Sequence, residues 1–386
     1  MAEIYIGRAP KEDYEQLMDM LDDVFFFEDE EPKRDFRSLL PKLYKEKYDP
    51  CYNNFVIKYG DAIKGAVGLF PFDFMVCGSR IRVAGIGNVA CTRDSRGNGH
   101  MTKCLDAALE SAIQDGADIS MLGGDRQRYG YFGYEPMGVN IRFRMTDRSL
   151  KLSGIDMDYE CDAVEVEEGD SARIEKIQNL LRSLPFYPLR DDGKIIDILC
   201  SWSNKAYAVE ENGEFKGYFT LSPEGNIGEF IPVKAEEWYK LVLCAMRLSG
   251  KNEFHISTPE FNPELAREFN KACAGVHISH VESMCVFNYK NVIEAFMKLK
   301  AQYCNLADGK VTLLIHGKRC DEKLEISVKD NEVCVCESEN EPDLELEHRE
   351  AQRLIASVYS ERRGELKPEI AAWFPIPIYC YGADSV

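Results

Sequence analysis

Residues 88–109 read NVACTRDSRGNGHMTKCLDAAL, and the rest of the chain is best interpreted outward from this segment. It opens apolar, passes through a basic, glycine-rich turn, and ends in a run with apolar residues at helical spacing. This pattern predicts a strand, a turn and a helix in succession, with Gly116 ending the helix. The first N–H groups of a helix lack partners inside it, and glycine lets an anion approach the backbone. The turn therefore predicts an anion site, to which Arg93 and Arg96 add positive charge.

Two familiar phosphate-binding patterns do not fit this turn. A nucleoside-triphosphate loop ends in Gly-Lys-Ser/Thr, whereas Gly99 is followed by His100 and Met101. A dinucleotide-binding loop needs three spaced glycines and an acidic residue on the next strand. The anion must therefore belong to a different class of ligand, unless the segment is only a structural turn.

The segment RGNG (96–99) resembles the Arg/Gln-x-x-Gly-x-Gly/Ala loop of the GNAT acetyltransferases. In that superfamily the loop follows a strand meander, begins a helix and holds the pyrophosphate of acetyl-coenzyme A. The sequence departs from the pattern at Met101, where glycine or alanine is usual. One strand later, YGYFGYEP (129–136) is similar to the Tyr-Gly-x-Phe-Gly-Phe/Tyr motif of these enzymes. The resemblance implies an N-acetyltransferase with acetyl-coenzyme A as co-substrate.

The wider pattern predicts three units of mixed α and β structure. Residues 1–148 have the predicted order β-α-β-β-β-α-β-α/loop-β, in which the strands before the glycine-rich turn form an antiparallel meander. Residues 149–290 follow a similar order without a glycine-rich loop, and Asn212-Gly213 predicts a hairpin turn. Residues 291–386 predict a small α+β domain.

This layout resembles the Eis family ("enhanced intracellular survival" acetyltransferases). Those proteins have a GNAT unit, a second degenerate GNAT-like unit and a domain like sterol carrier protein. The resemblance extends over essentially the whole chain, although it rests on motifs only in residues 80–138 and on element order elsewhere. It implies an α+β (mixed α/β) fold with boundaries at 148 and 290, and a homo-oligomer, since proteins of that family tend to form hexamers.

Composition limits the possible partners. The net charge of −19 argues against nucleic-acid binding, which needs clustered lysine and arginine. Acidity fits a cationic substrate through long-range attraction, and it fits mere solubility equally well. The sequence has no run of 18 apolar residues, so we expect no membrane span. The N-terminus is too polar for an export segment.

The 14 cysteines lie scattered in apolar segments, which predicts reduced, buried thiols and a cytoplasmic protein. Cys334 and Cys336 alternate along a strand and so share one face. No second pair or nearby histidine completes a metal site, and we expect no metal.

The GNAT resemblance assigns roles to the strand and the turn. In GNAT enzymes, backbone N–H groups of the strand before the turn contact the pantetheine arm and the acetyl carbonyl. The alternative is an ordinary central strand, which would have the same sequence. His100 is expected to face the phosphates or solvent rather than to act as a base. The residues assigned to coenzyme binding are Val89, Ala90, Cys91, Arg96, Gly97, Asn98, Gly99 and His100.

The resemblance also suggests the acid and the base. Tyr129 matches the general-acid tyrosine of Eis-type enzymes, with Tyr131 and Tyr134 interpreted as packing residues and an aromatic packing role as the alternative for Tyr129 itself. Eis-type enzymes use their terminal carboxylate as base, which here falls on Val386. That family often ends in an aromatic residue, and the alternative is a frayed tail. The segment FPIPIYCYG (374–382) is too apolar for a free tail.

The amine pocket is predicted in LDDVFFFEDEEP (21–32), where acids follow aromatic residues. The acids would attract an ammonium group and the aromatic rings would form walls, unless the segment is a solvated acidic loop. The candidates are Asp22, Asp23, Phe25, Phe26, Phe27, Glu28 and Asp29.

Two functions from different classes follow from these observations. The first is transfer of an acetyl group to a primary amine of a cationic substrate: an aminoglycoside, a polyamine-like small molecule or a lysine side chain. The second is a non-catalytic scaffold that binds a lipid or another ligand in the third unit. The intact turn and Tyr129 favour the enzyme.

Overall fold

The computed structural model describes residues 4–26 and 35–386. Its α-helices are α1 (Tyr14–Phe25), α2 (Phe36–Leu39), α3 (Pro41–Tyr44), α4 (His100–Gln114), α5 (Arg126–Gly130), α6 (Asp147–Leu152), α7 (Ser171–Arg182), α8 (Ile195–Leu199), α9 (Trp238–Ser249), α10 (Pro263–Ala272), α11 (Tyr289–Ala301), α12 (His348–Ala356) and α13 (Pro368–Ala371). Its strands are β1 (Ile4–Arg8), β2 (Asn54–Tyr59), β3 (Ala62–Val76), β4 (Ser79–Cys91), β5 (Ile119–Leu122), β6 (Glu135–Met137), β7 (Asn140–Thr146), β8 (Asp162–Glu165), β9 (Phe186–Pro188), β10 (Lys205–Glu211), β11 (Glu214–Leu221), β12 (Ile227–Pro232), β13 (Glu253–Pro259), β14 (Gly275–Ser279), β15 (Glu282–Val286), β16 (Gly309–His316), β17 (Asp321–Lys329), β18 (Glu332–Glu337) and β19 (Leu344–Glu347). The mixed α/β fold class predicted from the sequence is confirmed.

The largest sheet has the order β1-β2-β3-β4-β5-β15-β6, with β9 added at one end of β3. The β2–β3–β4 meander is antiparallel, as predicted, and β5 joins β4 in parallel. Alternate residues of the strands point to opposite faces. Phe55 and Ile57 pack under α4, whereas Val56 packs with α1 on the other face. The sheet is therefore covered by a helix on each side, as the strand–turn–helix pattern requires.

The first two units exchange strands. β7 lies between β13 and β14 in a three-stranded antiparallel sheet, and β15 lies between β5 and β6 in the large sheet. Each unit thus completes its sheet with a strand from the other. The division at residues 148 and 290 remains a prediction, and these two strands cross the first of its boundaries.

The second unit also contains a four-stranded sheet of order β12-β11-β10-β8. The β10–β11 hairpin turns at Asn212 and Gly213, which have φ angles of 52° and 80°. These positive angles suit a type I′ turn, for which Asn-Gly is a preferred pair. The predicted hairpin is therefore confirmed.

The third unit has a sheet of order β18-β17-β16-β19, packed against α11 and α12. Cys334 and Cys336 lie on the outward face of β18, and Cys304 and Cys320, elsewhere in this unit, are also exposed. The prediction of buried thiols is wrong for these four. After α13 the chain continues through Trp373 as a buried tail. The hydrophobic core that contains this tail includes residues of all three units. In the described part of the chain, no helix has the length and apolar character needed to cross a membrane.

Candidate active site

The predicted strand and turn lie beside a gap in the large sheet. Strand β4 pairs with β5 only through residues 83–85 and then runs on to Cys91. The register between β3 and β4 shifts at a bulge near Asn88. The φ of Asn88 is 38°, which is unusual for a residue other than glycine. The Asn88 side chain donates to Asn54 Oδ1 at 2.8 Å and accepts from Tyr44 Oη at 2.6 Å. The bulge is thus held in place by side chains, in the part of β4 that has already diverged from β5.

The glycine-rich turn leads from this divergence into α4. Gly97 and Gly99 have φ angles of 81° and 71°, which favour glycine. A methyl group at either position would meet no atom of the described residues within 4 Å, so the surface above the turn is open. The Asn98 side chain donates to the Ser95 carbonyl at 3.1 Å and fixes the turn from below. Arg96 is exposed beside the N-terminus of the helix, and the turn can therefore accept a phosphate.

The strand residues assigned to the coenzyme differ in burial. Ala90 is buried on the α1 face, whereas Val89 is half-buried on the α4 face and Cys91 is half-buried at the strand end. Burial raises the pKa of the Cys91 thiol above its ordinary value. Cys91 is thus a neutral side chain, and its backbone, at the open end of β4, is the part suited to binding.

The expectation for the His100 side chain is wrong. It is only 4% exposed, and its ring packs 5.2 Å from the ring of Tyr59 instead of facing phosphate or solvent. Burial lowers the pKa of His100, and Nδ1 has no hydrogen-bond partner in the described residues. The side chain turns inward because a helix begins there on an apolar sheet face, so only its backbone remains at the turn.

Tyr129 lies in α5, just after β5. Asp125 caps the N-terminus of this helix, and its side chain accepts from two backbone N–H groups of the first turn. The Tyr129 ring lies directly over Gly124, where a methyl group would come within 2.2 Å of the ring. The side chain is 6% exposed, and burial raises the pKa of its hydroxyl. A neutral, protonated phenol at the end of β5 fits a proton donor, and it fits the aromatic packing alternative equally well.

The neighbouring tyrosines divide in their roles. Tyr134 is buried, with its hydroxyl 2.6 Å from Ser120 Oγ, as a packing residue should be. Tyr131 is 83% exposed, so its interpretation as a packing residue is wrong. The aromatic residues of YGYFGYEP do not share one face of a regular element, because the segment is the end of a short helix followed by a turn.

Val386 lies over β4, next to the point where β4 stops pairing with β5. A methyl group on Gly87 would lie 3.5 Å from the carboxyl carbon of Val386, and one on Gly85 would lie 2.8 Å from its Cγ2 atom. Val386 and Ser385 share a small cavity with residues 121–123 at the end of β5. The end of the tail thus lies beside the predicted coenzyme strand, so the frayed-tail alternative is wrong, whereas the role of the Val386 carboxylate as base stays a prediction.

The tail is held by two buried cations that the sequence analysis missed. Lys42 Nζ donates to the carbonyl oxygens of Ala383 and Ser385 at 2.5 and 2.6 Å. Arg190 forms two-pronged pairs with Asp384 and with Glu229, all three being buried. Burial lowers the pKa of Lys42 to about 8, although nearby Asp384 opposes the shift. A charged residue within an otherwise apolar tail was the available signal, since such a residue needs a buried partner.

The predicted amine pocket is only partly described. Phe27, Glu28 and Asp29 lie outside the described residues. Asp22 accepts from the Phe36 backbone N–H at 3.0 Å, and burial raises its pKa while that hydrogen bond opposes the shift. Phe25 is 42% exposed and packs edge-on against Phe36.

Asp22 nevertheless lies near the gap. Its charge acts on Tyr44, the residue that hydrogen-bonds Asn88 at the bulge, and burial raises the pKa of Tyr44 well above its ordinary value. Tyr44 also contacts Phe36 and Phe70 edge-on, at 5.0 and 5.7 Å between ring centroids. An aromatic row with one carboxylate therefore leads from α1 toward the strand gap.

Comparison with known proteins places this geometry in a family context. Residues 6–137 match the family described as "Acetyltransferase (GNAT) domain". No sequence in a search of curated proteins matches the chain at a significant level. GNAT domains use acetyl-coenzyme A as co-substrate, and the open turn and the strand gap fit that molecule. The chain thus contains an acetyltransferase domain.

Solved structures resemble the chain over nearly its whole length. A GCN5-related N-acetyltransferase from Anabaena variabilis has a TM-score of 0.67 and 15% identity, covering 98% of this chain and 97% of its own. One from Kribbella flavida has a TM-score of 0.64 and 18% identity, covering 92% and 88%. Eis1 from Mycobacterium abscessus has a TM-score of 0.57 and 13% identity, covering 93% and 89%. At these identities the likeness shows the fold.

Proposed function

We propose, from the premise that the chain carries a GNAT acetyltransferase domain, that it transfers an acetyl group to a primary amine of a cationic substrate. Candidate acceptors are an aminoglycoside, a polyamine-like small molecule and a lysine side chain. Tyr129 acts as the acid and the carboxylate of Val386 as the base. The observation that carries the proposal is the position of Val386 beside Gly85 and Gly87, next to the point where β4 leaves β5.

Each group has a task that its surroundings support. Acetyl-coenzyme A supplies the activated acetyl thioester. Backbone N–H groups at the open end of β4 polarise the acetyl carbonyl, and the turn at residues 96–99 holds the phosphates. The Val386 carboxylate takes a proton from the acceptor amine, which must lose its charge to attack. The Tyr129 hydroxyl, kept protonated by burial, gives a proton to the departing thiolate.

The Eis-like layout is part of the proposal. The fold likeness to Eis1 and the four-stranded sheet with two packed helices in the third unit support a sterol-carrier-like domain at 291–386. All fourteen cysteines are free thiols, which supports a cytoplasmic location. Apolar side chains exposed on the edge strand β1 support a homo-oligomer, and light scattering that finds a 44.0 kDa particle would refute it. These side chains are Ile4, Tyr5 and Ile6.

Acetyl-coenzyme A should bind, and Arg96→Ala should weaken that binding about tenfold, because one charge-assisted contact to phosphate is lost. Isothermal titration calorimetry measures both. The control is Arg319→Ala, an exposed arginine of the third unit. If the wild-type protein shows no binding, the turn is only structural and the scaffold reading replaces the enzyme.

Tyr129→Phe should lower kcat about 100-fold with an unchanged affinity for acetyl-coenzyme A, because only the proton donor is removed. Thiol release in the presence of a multi-amine acceptor measures the rate. Tyr131→Phe is the matched control, since that side chain is exposed two residues away. Equal rates for Tyr129→Phe and the wild type would assign Tyr129 to packing.

A further inference from the structure

Helix α12 belongs to the third unit, but it packs against residues 130–138 of the first unit, the segment that follows Tyr129. The helical residues that make these contacts are spaced so that they share one face. They are His348, Arg349, Gln352 and Arg353. Just beyond the helix, Ser357 Oγ donates to the carbonyl oxygen of Pro136 at 2.5 Å. The acetyl transfer proposed above uses none of these side chains.

Arg349 covers the backbone directly after Tyr129. A methyl group on Gly130 would lie 2.9 Å from Arg349 Nη2, so a side chain at this position would displace the guanidinium. The guanidinium is held by Glu135, whose carboxylate accepts from Arg349 Nε at 2.7 Å. The Glu135 side chain is completely buried, and solvent therefore screens this ion pair less than a surface pair.

Gln352 holds the next part of the same turn. Its Nε2 donates to the carbonyl oxygen of Gly133 at 2.7 Å, and its Oε1 accepts from the backbone N–H of Val286 at 2.8 Å. The side chain is only 1% exposed, and it joins the turn to the end of β15. His348 lies over the same turn, since a methyl group on Gly133 would lie 3.1 Å from its Cδ2 atom.

The turn that α12 holds is bonded directly to Tyr129. The backbone N–H groups of Phe132 and Tyr134 both donate to the Tyr129 carbonyl oxygen, at 2.9 and 3.2 Å. A shift of residues 130–134 would therefore move the Tyr129 backbone, and its ring and hydroxyl with it. Misplacing a reacting group by about 1 Å can lower a rate by about 100-fold, so the position of this turn matters for proton transfer.

We propose that Arg349 and Gln352 are positioning residues for Tyr129, through which the third unit fixes the place of the hydroxyl in the active site. The inference rests on the acid role proposed for Tyr129. It gives the third unit a task in catalysis that requires no lipid or other ligand.

Arg349→Met keeps the apolar stem of the side chain and removes the guanidinium from Gly130. Glu135 still accepts from Arg126 Nε at 3.0 Å and from Arg353 Nη1 at 2.8 Å, so its buried carboxylate stays paired and the protein should fold. The variant should lower kcat about tenfold with an unchanged affinity for acetyl-coenzyme A. Thiol release measures the rate, and calorimetry measures the affinity.

Arg353→Met is the matched control. It removes an ion pair with the same carboxylate, but the three atoms nearest to a methyl group on Gly130 all belong to Arg349. Its kcat should stay within about twofold of the wild type. Gln352→Met, a second variant of similar shape, loses the bond to Gly133 and should also lower kcat about tenfold.

Fluorine NMR measures the position of the ring without any turnover, with 3-fluorotyrosine in place of Tyr129. The fluorine resonance should shift or broaden in Arg349→Met and in Gln352→Met, and it should stay unchanged in Arg353→Met. In a Tyr129→Phe background, Arg349→Met and Gln352→Met should lower kcat no further, because the hydroxyl that they position is already absent.

An unchanged resonance in both variants, a loss of kcat that adds to that of Tyr129→Phe, or an equal loss in Arg353→Met would each overturn the positioning role. A shifted resonance with wild-type kcat would overturn it as well, and would locate the failure in the acid role of Tyr129. The binding of acetyl-coenzyme A to the turn at residues 96–99 has its own test in Arg96→Ala.

Discussion

A chain that ends at Ser385 should lose about 1,000-fold in kcat, and so should a chain with one glycine added after Val386. Each change keeps a terminal carboxylate but moves it by the span of one residue, about 3.5 Å. The carboxylate then lies too far from the acceptor amine, or in the space that the acceptor needs. Lys42 and Arg190 still hold the tail, because their partners are residues 383–385. Thiol release with the best amine acceptor measures the loss.

The comparison is informative because both variants should remain folded. Their thermal unfolding and acetyl-coenzyme A affinity should match those of the wild type, since no anchor of the tail is removed. Wild-type turnover in either variant would show that the proton leaves the amine by another route. Glu282 would then be the next candidate, because its half-buried carboxylate accepts from Ser385 Oγ at 3.2 Å and burial raises its pKa.

Arg190→Met should lower the free energy of unfolding by about 3–5 kcal/mol. The replacement leaves Glu229 and Asp384 buried without the cation they share. Desolvation of an unpaired carboxylate costs far more than the methionine gains from its apolar contacts. Urea unfolding followed by fluorescence measures the change, and kcat should fall with it because the tail loses an anchor.

A triple variant separates the pairing from the packing. Arg190→Met with Glu229→Gln and Asp384→Asn removes all three charges and should recover most of the lost stability. If Arg190→Met alone were as stable as the wild type, the three paired charges would make no net contribution to the free energy of unfolding. As the control, Arg144→Met breaks an exposed pair with Glu253 and should change stability by less than about 1 kcal/mol.

The local elements of the fold could be predicted because short-range patterns specify them. Helical spacing predicted α4, Asn-Gly predicted the β10–β11 turn, and glycines predicted the open loop before α4. The strand exchange could not be predicted, because β7 and β15 have ordinary strand sequences that fit either sheet. Which sheet a strand joins depends on contacts more than 100 residues apart in the chain.

The site was predicted unevenly for the same reason. The turn and Tyr129 lie in local motifs, and Val386 followed from a family resemblance. Lys42 and Arg190 lie in segments with no motif, and only the tail brings them together. The prediction that the His100 side chain faces phosphate or solvent was wrong, because the turn before it is exposed whereas this side chain faces the sheet. The roles of all the site residues remain predictions until the variants are measured.

The exchanged strands have a consequence for how the protein is made. While the ribosome has released only the first unit, the large sheet lacks β15. Strand β6 then has no strand to pair with, and the edge of β5 is open. The nascent chain must therefore keep an incomplete sheet in solution until residue 286 has emerged. A gene fragment cut near codon 148 would leave the same open edge permanently. For expression in pieces, the shortest N-terminal fragment expected to stay soluble thus extends past β15.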